Sequence, residues 1–144
     1  MIEIRRSALV ACSPAQMFDL VNEVEAYPKR FGWCDGAQVL ERDADVLVAR
    51  LDLKFAGLHQ SFTTRNVVQR PDWLEMHLVD GPFRALHGRW DFLALGGHGC
   101  KVSLALDFDY AGGRLVGSAF RLGFQGLAGR MVDDFCREAA RVHG

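Results

Sequence analysis

The sequence predicts an α+β fold, one antiparallel sheet of about seven strands with two helices on one side, the longer at the C-terminal end. Three observations predict it. Apolar residues alternate with period two along most of the chain up to Tyr110, and turn residues recur every ~10 positions between the alternating runs. From about Arg114 the period becomes helical.

The first element is the alternating segment MIEIRRSALVAC. Ile2, Ile4, Ala8 and Val10 fall on one side and Glu3, Arg5 and Ser7 on the other, with Arg6 breaking the pattern. SPAQ then announces a helix: Ser13 is an N-cap, Pro14 suits the first helical position and Gln16 completes a capping box. Met17, Leu20, Val21 and Val24 follow at helical spacing, and Tyr27-Pro28 is expected to end the run because a residue before proline disfavours helix. KRFGWCDG reads as a short irregular or helical connection with two exposed aromatics, Phe31 and Trp33.

Strand signals then arrive in series: AQVLERD, the run from Val46 to Phe55, HQSFTTRNVVQ, WLEMHLV after a Pro71-Asp72 turn, ALHGRWDFLAL after DGPFR, and CKVSLALDFDY after the turn GGHG. In the final helix Phe120, Phe124, Leu127, Met131, Phe135 and Val142 make one stripe. Gly126 and Gly129 lie roughly opposite it, where each costs about 1 kcal/mol against alanine. They predict a helix that bends or moves, the alternative being that the first turns are loop. A single helix cannot cover a strongly curved sheet, so an apolar cavity is expected between them.

Composition narrows the function. At 144 residues, 49% hydrophobic and 24% charged, the chain is expected to form one domain, 1–144, with a real core. A net charge of -1 gives no global field for nucleic acid or membrane. Cys12, Cys34, Cys100 and Cys136 form no C-x-x-C pair. With a strand pattern from its first residues and no signal-peptide pattern, the chain is expected to be cytoplasmic with reduced thiols. No apolar run approaches the ~18 residues of a membrane span.

Catalytic and cofactor motifs are missing: no G-x-S-x-G, H-E-x-x-H or Walker loop occurs. His59, His77, His87, His98 and His143 share no metal-like spacing, and Asp107 and Asp109 fall on the solvent face of a strand. No metal, nucleotide or flavin is therefore expected to be required. The aromatics carry more information. Phe31, Trp33, Phe55, Phe62, Phe83, Trp90, Phe120 and Phe124 are candidates for core or cavity wall, with Leu127 and Met131 on the same helical stripe as the last two. Phe31, Trp33 and Phe83 lie in connections, where function concentrates, and are expected to form a rim or gate.

The order of elements, YPKRFGWC after the first helix and DGPFRALHGRWDF in the late strands resemble the coenzyme-Q-binding START-like family. That family includes mitochondrial ubiquinone-binding proteins and bacterial RatA ribosome-association toxins, within the wider polyketide cyclase/dehydrase and lipid-transport superfamily. The resemblance covers nearly the whole chain. Tyr27, Pro28, Phe31, Trp33 and Cys34 match the first motif; Gly81, Pro82, Phe83, Leu86, Gly88, Trp90 and Phe92 match the second.

The resemblance implies a helix-grip fold, with a curved sheet wrapped around the C-terminal helix and enclosing an apolar tunnel. It also implies a ligand, ubiquinone or a related isoprenoid lipid, held non-enzymatically by a carrier or chaperone supporting respiration. A cytoplasmic protein with transient contact at the inner membrane fits that role. Two alternatives stand beside it. One is RatA-like binding of the large ribosomal subunit, blocking subunit association, for which Arg130, Arg137 and Arg141 would supply a basic edge. The other is a polyketide aromatase/cyclase, which would need a buried acid-base set that the sequence does not reveal.

Overall fold

The computed structural model describes residues 1–55, 57–112 and 117–143. Seven strands, β1 (Ile2–Val10), β2 (Cys34–Arg42), β3 (Val46–Phe55), β4 (Leu58–Gln69), β5 (Trp73–Asp80), β6 (Phe83–Ala94) and β7 (Cys100–Tyr110), form one antiparallel sheet. The helices are α1 (Pro14–Asn22), α2 (Tyr27–Arg30) and α3 (Ser118–His143). The strand order β1-β7-β6-β5-β4-β3-β2 is a meander closed by the first strand pairing with the last. The expected onset of helical periodicity, about Arg114, lies outside the described residues.

The capping box forms as its residue types require. Ser13 Oγ accepts from the Gln16 N–H at 3.1 Å and Gln16 Oε1 accepts from the Ser13 N–H at 2.9 Å. The proline signal has the opposite meaning to the one expected. α1 already stops at Asn22, and Tyr27-Pro28 opens α2 instead of ending α1. A proline in the first helical turn gives up an N–H that has no intrahelical partner anyway. Tyr27 accepts helical angles despite preceding proline (φ -55°, ψ -43°). Its hydroxyl donates to the Val21 carbonyl and its ring packs edge-on against Phe31, Trp33 and Phe135.

Burial overturns a second expectation. Phe31, Trp33 and Phe83 are each only 6% exposed, although all three were expected in connections. Phe31 and Trp33 do lie in the connection between α2 and β2 but face the core, and β6 begins earlier than its alternation suggests, so Phe83 is its first residue. Gly81 makes the approach to Phe83 possible. Its φ is +151°, and a Cβ there would lie 2.7 Å from the Phe62 Cβ.

The sheet forks beside this turn. β5 and β6 pair only from Trp73↔Asp91 to His77↔His87. Beyond that point β5 stays with β4, reaching Thr63↔Asp80, while β6 stays with β7, starting at Phe83↔Tyr110. Register shifts between Thr63 and Thr64 on one branch and between Phe83 and Ala85 on the other bend the two branches.

α3 lies across the inner face of the sheet and buries Phe120, Phe124, Leu127, Ala128, Val132, Phe135 and Ala139. Val142 leaves the expected stripe and is 41% exposed. Gly126 and Gly129 are helix interior, so the loop alternative falls. The glycine packed closest to the sheet is Gly123, where a Cβ would come within 2.3 Å of the Phe55 ring.

Candidate ligand-binding cavity

Between the inner face of the sheet and α3 lies an apolar cavity, walled by β3, β4, β5, β6, β7, α1, α2 and α3 side chains. Its space open to a water-sized sphere is about 60 Å³, room for several waters. Of the residues expected at the site, Trp33, Phe62, Trp90, Phe124, Leu127 and Met131 line it. Phe31, Phe55, Phe83 and Phe120 do not. Phe31 stacks behind Trp33, with ring centroids 4.9 Å apart, and Phe55 stands outside against Phe120 at 5.7 Å. Phe83 and Phe120 back Phe124 at 4.8 and 5.9 Å, so they support the wall without touching the space.

Two polar residues on the wall were missed. Thr64 and Asn66 are buried among apolar neighbours, and Thr64 Oγ1 donates to Asn66 Oδ1 at 2.9 Å. That bond occupies the Asn66 carbonyl and leaves its amide N–H groups as the donors on this wall. The signal was present in the sequence: Thr64 and Asn66 share the phase of Phe62 and Val68, which is the inward face of β4.

The two ends of the cavity are built differently. At the α2 end, Trp33 Nε1 donates to Asp134 Oδ2 at 3.2 Å, the Lys54 N–H donates to the Trp33 carbonyl at 2.9 Å, and Arg30 reaches Glu138 at 3.7 Å. Burial pushes the Tyr27 phenol up, so it stays neutral. At the fork end, Phe62, Phe83, Phe108, Tyr110, Phe120 and Phe124 meet as rings. Among the described residues, the Tyr110 hydroxyl donates to the Arg121 carbonyl at 2.8 Å there, and farther along α3 Arg6 Nε donates to the Gly129 carbonyl at 3.2 Å.

Chemistry is sparse inside. Among the described lining residues none carries a carboxylate, an imidazole or a cationic group. The four cysteines are free thiols, and burial pushes Cys34 and Cys136 up to about 11, which leaves them poor nucleophiles at neutral pH.

Outside the cavity the expected basic edge of α3 is interleaved with acids. Arg137 pairs with Asp134 at 3.1 Å, Arg130 approaches the same carboxylate at 3.8 Å, and Arg141 binds Glu138. The histidines depart from the sequence reading in one place. His77 and His87, ten residues apart, become direct cross-strand partners with ring centroids 4.9 Å apart.

Comparison with known proteins agrees with this architecture. Residues 10–136 match the family described as polyketide cyclase / dehydrase and lipid transport. The chain is 45% identical to a ribosome association toxin RatA of Pseudomonas aeruginosa, over 98% of this chain and 97% of that one. It is 27% identical to a mitochondrial coenzyme Q-binding protein coq10 of Schizosaccharomyces pombe, over 96% and 87%. Among solved structures, the Zhui aromatase/cyclase of Streptomyces sp. R1128 superposes with a TM-score of 0.82 at 19% identity, covering 97% of this chain and 94% of that chain.

Proposed function

Because the chain belongs to the polyketide cyclase / dehydrase and lipid transport family, we propose that it is a non-enzymatic binder of a hydrophobic ligand, an isoprenoid quinone such as ubiquinone. The single observation that carries this reading is the cavity, an apolar space with one polar pair on its wall. Burying each CH₂ of a prenyl chain gains about 0.8 kcal/mol, and the Asn66 amide can donate to a quinone carbonyl. No cofactor is required for that role. Cyclisation would need an acid-base set that the described wall does not carry, and the likeness to the aromatase/cyclase extends to the fold alone.

The cavity as it stands is smaller than a quinone, so loading requires an opening. We place it at the fork end, where ring contacts and the Tyr110–Arg121 hydrogen bond hold α3. No helix among the described residues is long and apolar enough to cross a membrane. In this reading the protein is cytoplasmic and collects its ligand by transient contact at the inner membrane.

The test is native mass spectrometry of the purified protein followed by lipid extraction. A quinone at one per chain, with affinity lowered about tenfold in Asn66→Leu, supports the reading. Protein that purifies empty and takes up no quinone from vesicles would reject it.

A second reading rests on the 45% identity to the ribosome association toxin RatA: binding to the large ribosomal subunit. Sedimentation with purified large subunits separates the two. Co-sedimentation of empty protein would establish the ribosome as a partner whatever the cavity holds.

A further inference from the structure

We propose that Glu75, His77 and His87 form a binding site for a divalent transition cation, of the zinc type, on the outer face of the sheet where it forks. Glu75 and His77 are two apart on β5, so both point away from the cavity that Leu74 and Met76 line. The β5–β6 register sets His87 directly opposite His77. One donor atom from each of the three residues lies within 4.8 Å of the other two. His77 Nε2 and Glu75 Oε2 are already 3.6 Å apart, close to the ~3.4 Å between ligands of a tetrahedral ion. His87 is exposed and the His77 side chain is 45% accessible, so side-chain rotation can bring the donors to bonding distance.

The neighbours hold the carboxylate in place. Arg89 takes the other Glu75 oxygen, Oε1, at 2.6 Å, leaving Oε2 toward His77. Arg89 is itself held by Asp91 at 3.1 Å and lies 4.7 Å over the Trp73 ring. Glu75 can therefore keep its arginine and still give an oxygen to the ion. Asp107, the register partner of His87 on β7, is held by Arg5 at 2.8 Å. Two nitrogens and one oxygen suit zinc, nickel or copper, whereas magnesium and calcium prefer all-oxygen shells.

The position gives the ion a role. His77↔His87 is the last pair before β5 and β6 separate, so a cation there would staple the sheet at the apex of the fork.

Calorimetric titration with zinc chloride tests this on the full chain, with His77→Ala, His87→Ala and, as a control elsewhere on the surface, His59→Ala. One ion per chain is expected. Affinity should fall at least about tenfold in each of the first two variants and stay unchanged in His59→Ala. Zinc should raise the melting temperature of the wild-type protein and of His59→Ala only. Circular dichroism checks that the exposed substitutions leave the fold intact. Equal affinity in wild type and a His77→Ala/His87→Ala double variant, including no binding by either, would overturn the proposal.

Discussion

The two ends of the cavity bury similar aromatic rings but are secured by different forces. At the α2 end the rings come with polar fasteners: Tyr27 to the Val21 carbonyl, Trp33 to Asp134, and Arg30 beside Glu138. At the fork end six rings pack with few directional bonds, on two sheet branches that no longer pair with each other. Ring packing is broad and tolerant of small displacements, whereas a buried hydrogen bond is lost over a fraction of an ångström. In the proposed loading route the α2 end acts as a fixed anchor while the N-terminal half of α3 lifts.

The largest expected effect lies between the two ends. Trp90 is fully buried, packs edge-on against Phe135 and lines the cavity, so Trp90→Ala should cost about 3–5 kcal/mol in chemical denaturation. Phe83→Ala comes next, at about 3 kcal/mol, near the lower limit for a buried phenylalanine because the forked branches can close in. If the protein holds a quinone as proposed, the change should also speed its release. A loss as large as that of Trp90→Ala, with release unchanged, would make the fork end as rigid as the anchor.

Glu138 sharpens the comparison at the fixed end. Its hydrogen bonds from Arg141, then the nearby Arg30 charge, hold the buried carboxylate below the ordinary range. A carboxylate whose folded value is depressed stabilises the fold above its unfolded value of ~4.3, and that contribution is lost as pH falls through the folded value. Glu138→Gln should therefore cost about 1–2 kcal/mol at neutral pH, a cost that shrinks as pH falls through the depressed folded value. An unchanged pH profile would remove Glu138 from the set of fasteners.

The smallest effect is a gain. Gly126 has only the Arg130 side chain near its absent Cβ, at 3.5 Å, so Gly126→Ala should add up to about 1 kcal/mol. If α3 lifts at its glycines, the same change slows quinone uptake. Equal uptake rates would place the motion elsewhere.

Much of this was legible in the sequence because alternation is a local property. The seven strands, the Ser13 cap and the α3 stripe from Phe120 to Phe135 follow from spacing. What failed depended on partners distant in the chain. Tyr27-Pro28 opens a helix because four other groups hold Tyr27, and no dipeptide rule includes them. Phe83 looked like a rim residue because the turn before it is polar, yet Phe62 and Phe124 come from elsewhere to cover it. Thr64 and Asn66 were readable from phase, but threonine's β propensity concealed them. The pairing of His77 with His87 needs the register, which spacing alone does not provide.

The closure of the sheet by β1 has a kinetic consequence. Ile2 pairs with Phe108 and Val10 with Cys100, so the first strand made finds its neighbour only after the last strand exists. Loop closure over such separations slows folding, into the millisecond-to-second range for sheets of high contact order. During synthesis β2 to β6 can assemble hairpin by hairpin while β1 waits unpaired. A chain stopped before residue 100 should therefore lack a native N-terminal strand, which hydrogen exchange on the stalled product would detect as unprotected amides from Ile2 to Val10.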